Sequence, residues 1–277
     1  MKIAICFFGI TRSLKYTIGN IEKNIIKPAS ELAEVKLFGH FFNQKHVVNS
    51  RSGENEKLKS DEFKLLKLDE VILEEPDEFL PNTTFEASKT YGDNYDDDFT
   101  SLRNLYHQLY SLKRVTLLAE KWHADIVIFV RPDLMYHDSF YTDIKRALTL
   151  KDGVLLPNWQ HWNGYNDRFA IVSGENAIAS YGKRFHKTLE FSIQSNASLN
   201  SEALLEFALK ENKVGNFKLR ASRVRANGEM KSECFYHQNL LSFQNRIANL
   251  LNISFDNFVL MTFTKIMQRV LFGKSEL

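Results

Sequence analysis

The chain has 277 residues, 44% hydrophobic and 25% charged with 22 phenylalanines, which is enough apolar material for a sizeable core and excludes a disordered protein. Thirty-six basic residues stand against 34 acidic ones, a formal net charge of +2, so nothing in the global balance argues for nucleic acid as a partner. Two cysteines, Cys6 and Cys234, supply neither a disulfide framework nor a metal knuckle; Cys6 reads as core, and the usage fits a reducing compartment.

Met1 to Gly9 is too short, and lacks the cleavage pattern, for a secretory leader, and reads instead as a first strand. No window approaches the ~18–20 continuous apolar residues of a membrane span. The expectation is a cytoplasmic chain, soluble or peripheral to the inner face of the membrane.

In chain order, residues 2–8 predict a buried strand, Gly9 to Ser13 a turn, and the segment through Tyr16 to Ile26 a helix. A glycine after the first strand, with Thr11 and Arg12 beside it, can offer backbone N–H groups to a phosphate, although a strand-to-helix turn also uses glycine for its own geometry. Val35 to Phe42 predicts a second strand, Val47 to Ser60 a polar surface loop, and Leu68 to Glu74 a short third strand closed by Pro76. The acidic run Tyr91 to Asp98 lacks the alternating ligands and closing Glu of a calcium loop. Ser101 to Trp122 predicts one long helix, with Leu102, Leu105, Leu109, Leu112, Val115 and Leu118 recurring three and four apart.

Ile126 to Val130 is an unbroken β-branched and aromatic run, too short for a helix and apolar on both faces, as in a central strand of a covered, largely parallel sheet. Pro132 stops it, leaving Arg131 and Asp133 at the strand's carboxyl end, the rim where open α/β sheets bind ligands. The two either face a ligand there or form a loop ion pair. A helix over 139–148, a strand over 153–157, a strand from Phe169, helices from Gly174 and Asn200, and a strand-like stretch over 217–224 follow.

Between them, Asn158 to Phe169 holds two of the three tryptophans, a Tyr, a His and three Asn, with neither helical nor strand period. Aromatic faces between amide and carboxylate groups suit a sugar, whose C–H faces and hydroxyls need both; the alternative is a packed loop with its polar groups satisfied internally. Beyond Gln238, two amphipathic helices edged with Lys and Arg predict core or oligomer packing, or a membrane-surface contact through 238–272.

Several motifs occur together: Phe8-Gly9-Ile10-Thr11-Arg12, Phe38-Gly39-His40-Phe41-Phe42, Leu109-Tyr110-Ser111-Leu112-Lys113, Arg131-Pro132-Asp133-Leu134, and Asn163 to Ile171. With these in this order the chain resembles the GT-A-type glycosyltransferases of bacterial surface-polysaccharide (capsule and O-antigen) gene clusters, over residues 1 to about 225. The resemblance implies an α/β, GT-A-like (Rossmann-like) fold with a mostly parallel central sheet flanked by helices, as a domain over 1–235 with a helical C-terminal extension over 236–277. It implies a hexosyltransferase-type enzyme, with a nucleotide-sugar donor and a saccharide or lipid-linked saccharide acceptor as partners.

Most enzymes of that type place Asp-x-Asp at this rim to hold Mn²⁺ or Mg²⁺. Here the triplet is Arg131-Pro132-Asp133, so Asp133 is the one metal ligand kept and a guanidinium, which offers no oxygen, stands first. The expectation is that Arg131, with Arg12 and Lys113, neutralises the leaving diphosphate in place of a metal, while Gly9 and Thr11 bind the donor nucleotide at the turn and Asp133 contacts the donor ribose or sugar. Asp167 is the leading candidate for the base that activates the acceptor hydroxyl, with His161 and Glu202 as alternatives. Trp159, Trp162 and Asn166 are the expected sugar contacts. Two other readings remain at this stage: a non-catalytic carbohydrate-binding protein, and a sulfotransferase- or kinase-like phosphate enzyme, which the missing Gly-x-x-x-x-Gly-Lys-[Ser/Thr] loop disfavours.

Overall fold

The computed structural model describes residues 1–49 and 53–236. β1 (Lys2–Gly9) is covered on both sides. Ile3, Ile5 and Phe7 enter one apolar cluster with Leu14, Ile21 and Ile144, while Ala4, Cys6 and Phe8 enter another with Leu112 and Val115. Successive side chains of a strand point to opposite faces, so a run apolar at every position demands such a sandwich.

α1 (Leu14–Ile21) continues through a π-helical turn, Glu22–Ile26, into α2 (Lys27–Ser30), and β2 (Glu34–Phe42) follows. The polar stretch expected to be a loop instead holds an antiparallel hairpin, β3 (His46–Asn49) and β4 (Glu54–Lys57). Buried Val47 and buried Glu54 fasten it to the body of the protein, and polarity alone hides both anchors. β5 (Glu70–Glu74) and α3 (Phe85–Lys89) lead to α4 (Thr100–Lys121), the expected long helix, whose Leu102, Leu109, Leu112, Val115 and Leu118 are buried as its period requires.

β6 (Ile126–Val130) is fully buried along its length. After it come β7 (Leu134–Tyr136), α5 (Tyr141–Ala147), β8 (Gly153–Pro157), β9 (Ala170–Ser173), α6 (Glu175–Gly182), α7 (Thr188–Ser195) and α8 (Ser201–Ala208). The strand-like stretch over 217–224 is two pieces: β10 (Val214–Phe217) ends where it was expected to begin, and β11 (Ala221–Arg223) leaves the main sheet to pair antiparallel with β7.

The main sheet has seven strands in the order β10-β8-β9-β6-β1-β2-β5, parallel except for β9, which runs antiparallel to both β6 and β8. The expected α/β architecture, a mostly parallel central sheet flanked by helices, is therefore observed. A third apolar cluster, built around Tyr106, Phe79, Phe185 and Leu204, joins the N-terminal half of α4 to α8 and carries that end of α4 beyond the sheet. The C-terminal helices expected over 236–277 fall outside the described residues, apart from residue 236. Among those described, no helix is long and apolar enough to cross a membrane.

Candidate functional site

A cleft of about 800 Å³ opens at the carboxyl edge of the parallel strands. Its walls are the turn after β1, the end of β2 with the first residues of β3, the first turns of α4, Arg131 after β6, the 167–168 pair before β9, the start of α8, and Arg223 and Arg225.

Six arginines line it, and five of them, Arg12, Arg131, Arg168, Arg223 and Arg225, are paired to buried acids. Behind them, three carboxylates each bridge two arginines. Asp133 accepts from Nε of Arg131 at 3.0 Å and from Arg12 at 2.8 Å, while Glu54 accepts from Arg12 at 2.7 Å, from Arg225 at 3.1 Å and from the Ala226 N–H at 3.1 Å. Glu233 accepts from Arg223 at 3.0 Å and lies 3.8 Å from Arg168. The carboxylate side chains are 0–4% exposed and the guanidinium side chains 7–29%, so the acids sit in the second layer and the cations face the cleft.

Burial pushes the Asp133 pKa up, but the charges and hydrogen bonds of Arg131 and Arg12 outweigh it and hold the carboxyl well below the usual carboxylate range. Five guanidiniums share three buried carboxylates, so the wall presents rigidly held forks of donors that match phosphate oxygens.

Beside this wall stands a carboxylate pair. Asp167 Oδ2 accepts from Nε2 of Gln108 at 3.0 Å and from the Ser201 hydroxyl, and lies 3.9 Å from buried Arg184. Glu202 belongs to the first turn of α8, which Asn200 caps by accepting from the Ala203 N–H at 2.9 Å. The Glu202 carbonyl accepts from the Tyr165 N–H at 3.0 Å, and a Cβ on Gly164 would collide with that carbonyl, so only glycine lets the 158–169 segment approach α8 this closely. Burial, reinforced by the Asp167 charge, pushes the Glu202 pKa up to about 7. The two acids thus differ in the way an acid–base pair needs: one hydrogen-bonded by neighbours, one poised near neutrality.

Of the expected site residues, Gly9, Arg12, Arg131, Asp167 and Glu202 line this one cleft. Several others require correction. Asp133 is fully buried with both oxygens occupied by guanidiniums, so it meets neither ribose nor sugar; it pairs with Arg131, as the alternative reading had it, yet that pairing holds Arg131 at the cleft wall.

The Gly9 N–H donates to the Ser111 hydroxyl at 3.0 Å, and that hydroxyl donates to the His40 carbonyl, so the turn braces strands to α4 and its amide is not available to a phosphate. Thr11 contributes its carbonyl to the turn, accepting from the Leu14 N–H, and is not on the cleft wall. Lys113 lies 5.6 Å from the centre of the Phe185 ring, away from the cleft.

In the tryptophan-rich segment, Trp159 is fully buried with its indole N–H donating to the Leu219 carbonyl at 2.8 Å, and buried Asn166 donates to the Trp159 carbonyl at 2.7 Å. His161 Nε2 donates to the Pro157 carbonyl and is not on the cleft wall. These three are scaffold groups, satisfied internally. Trp162 is 56% exposed but also off the cleft wall.

Asp133 is not free to ligate a divalent metal. The one carboxylate kept from Asp-x-Asp is sealed between two cations, and among the described residues no three His, Cys, Asp or Glu side chains converge with ligand spacing.

Glu54, Gln108, Arg223, Arg225 and Glu233 went unread in the sequence. Arg223 and Arg225 carried one usable signal: residues two apart in an extended chain share a side.

No protein-family model matches the sequence, and no curated protein matches it. Among solved structures, mouse xyloside xylosyltransferase 1 in its apo form is 8% identical with a TM-score of 0.43, over 79% of this chain and 86% of that one. The galactosyltransferase LgtC in complex with donor and acceptor sugar analogues is 11% identical with a TM-score of 0.37, over 78% and 73%. A Bacillus anthracis protein assigned as a glucose-1-phosphate thymidylyltransferase, in complex with a sucrose, is 10% identical with a TM-score of 0.37, over 93% and 98%. TM-scores below 0.5 decide nothing about the chemistry of this chain, which rests on its own residues.

Proposed function

We propose that this chain is a glycosyltransferase, moving a hexosyl-type sugar from a nucleotide-sugar donor to a saccharide or lipid-linked saccharide acceptor in surface-polysaccharide synthesis. The observation that carries the reading is the guanidinium wall in the same cleft as the Asp167–Glu202 pair. A nucleoside diphosphate leaving group carries its charge on phosphate oxygens, and guanidinium forks aimed at it neutralise that charge as the anomeric C–O bond breaks. The acceptor oxygen must lose its proton as it bonds to the anomeric carbon. Glu202, with a pKa near 7, fits that task better than Asp167, whose carboxylate is tied to Gln108 and Ser201.

In this reading the arginines replace the metal, and transfer proceeds in chelator. Contact with a membrane surface through 238–272, beyond the described residues, belongs to the same proposal. The test is a thermal-shift panel of UDP-, GDP-, CMP- and dTDP-sugars with and without EDTA, since a ligand that binds only the folded form raises the melting temperature. At least one nucleotide sugar is expected to raise it equally in both conditions. No shift with any of them, alongside a shift with free oligosaccharide, would instead favour a carbohydrate-binding protein.

A further inference from the structure

Between the guanidinium wall and the carboxylate pair stands one uncharged side chain. Gln108, on α4, donates from Nε2 to Asp167 Oδ2 at 3.0 Å and accepts at Oε1 from Arg131 at 3.1 Å. A guanidinium has only donors and an ionised carboxylate only acceptors, so a side chain spanning the two without adding charge must present an acceptor to one and a donor to the other. An amide does this in a single orientation. Glu at this position would satisfy Arg131 and repel Asp167, and Lys the reverse.

We propose that Gln108 is the positioning residue that fixes the Arg131 guanidinium relative to the Asp167 carboxylate, and so couples the leaving-group side of the cleft to its acid–base side. The catalytic part of this inference rests on the glycosyl-transfer reading; the positioning part does not. Three features support it. Arg131 is already gripped by Asp133 through Nε and a terminal nitrogen, which leaves its other terminal nitrogen to Gln108. The same Oδ2 of Asp167 also accepts from the hydroxyl of Ser201, the residue next to Glu202. All of Gln108, Arg131, Asp167, Ser201 and Glu202 line the one cleft. The charged and titratable groups facing the pair are Arg184, Arg131, Arg168 and Tyr181 toward Asp167, and Arg168 and Arg223 toward Glu202.

The experiment follows carbon-13 carboxyl titrations of Asp167 and Glu202 in the full chain, in Gln108→Met and in Gln108→Glu, with circular dichroism to establish folding. No turnover is required. Gln108→Glu places a second carboxylate beside Asp167 and is expected to raise the Glu202 midpoint by half a unit or more. Gln108→Met removes the hydrogen-bond donor at Asp167 Oδ2 and, because a donor favours the charged form of a carboxyl, is expected to move the Asp167 midpoint upward.

Where transfer is measurable, Gln108→Met is expected to lower kcat at least tenfold with the donor KM within threefold, because the grip of Asp133 on Arg131 survives. Unchanged midpoints in both folded variants overturn the inference. Shifted midpoints in a protein that binds none of UDP, GDP, CMP and dTDP uphold the positioning role and overturn the glycosyl-transfer reading instead. Should both single variants fail to fold, the polarity-exchanged pair Gln108→Glu with Asp167→Asn restores both hydrogen bonds. Its recovery of the native spectrum upholds the inference, and its failure overturns it.

Discussion

Arg12 and Asp133 lie 121 residues apart in sequence and 2.8 Å apart in space, and through them the turn after the first strand is tied to the turn after the central one. Because Asp133 also holds Arg131, its removal leaves the Arg131 guanidinium bonded only to the neutral Gln108 amide and that of Arg12 to Glu54 alone. Asp133→Asn is expected to destabilise the fold by about 3–5 kcal/mol, as breaking a buried ion pair does. Denaturant unfolding of the variant measures it. The pH dependence has a definite sign: the folded-state pKa is depressed, so the stabilisation is present above the ordinary carboxylate range and is lost as pH falls below about 4 toward the folded-state value.

Glu202 has the opposite sign. Its folded-state pKa is raised to about 7, so the native state binds the extra proton, and stability falls as pH climbs from about 4.5 to 7. Glu202→Gln is expected to flatten that slope and to melt higher than the parent at pH 8, while transfer activity drops by about a hundredfold or more. Melting scans between pH 5 and 8, paired with rates, check both halves.

Arg223 is the most exposed of the five cleft arginines paired to buried acids, at 29%, and its guanidinium is fixed mainly by Glu233. Arg223→Ala is therefore expected to weaken nucleoside diphosphate binding about tenfold, the loss of one charge-assisted contact, with a stability change below that of Asp133→Asn. Calorimetric titration with UDP and GDP reads the first effect and denaturant unfolding the second. Added EDTA should leave the affinity unchanged.

Two substitutions in the tryptophan-rich segment separate scaffold from surface. Trp159→Ala empties a fully buried site and is expected to cost about 3–5 kcal/mol, whereas Trp162→Ala, at 56% exposure, should stay within about 0.5 kcal/mol. Gly164→Ala forces backbone away from the Glu202 carbonyl and is expected to destabilise by about 1–3 kcal/mol and to lower activity with it. Unfolding curves for the three variants, run together, rank them.

The sheet was legible because its signals are local: the apolar runs of β1, β6 and β8 and the leucine period of α4 each announce burial without reference to anything distant. Arg12, Arg131, Asp167 and Glu202 were legible from chain order and residue type. The carboxylates behind them were not. Glu54 sits in a polar stretch and Glu233 near the end of the described chain, and each is buried only because arginines from elsewhere neutralise it. A tryptophan count could not say which indole faces inward, since Trp159 and Trp162 differ in the partner each finds, not in type. The hairpin escaped notice for the same reason: its anchor is an ion pair, which leaves no period.

Had β9 run in the direction of its neighbours, the residues immediately ahead of it would open at the far margin of the molecule, more than a strand's length from the arginines. Its reversal sets Ala170 opposite Phe129, near the last residue of β6, so the chain descends into β9 from the same brink at which β1, β2 and β6 end. That single inverted ribbon delivers Asp167 and Arg168 to the cleft. Any relative that kept every side chain named above but threaded this strand the other way would have the parts of the site without their meeting place.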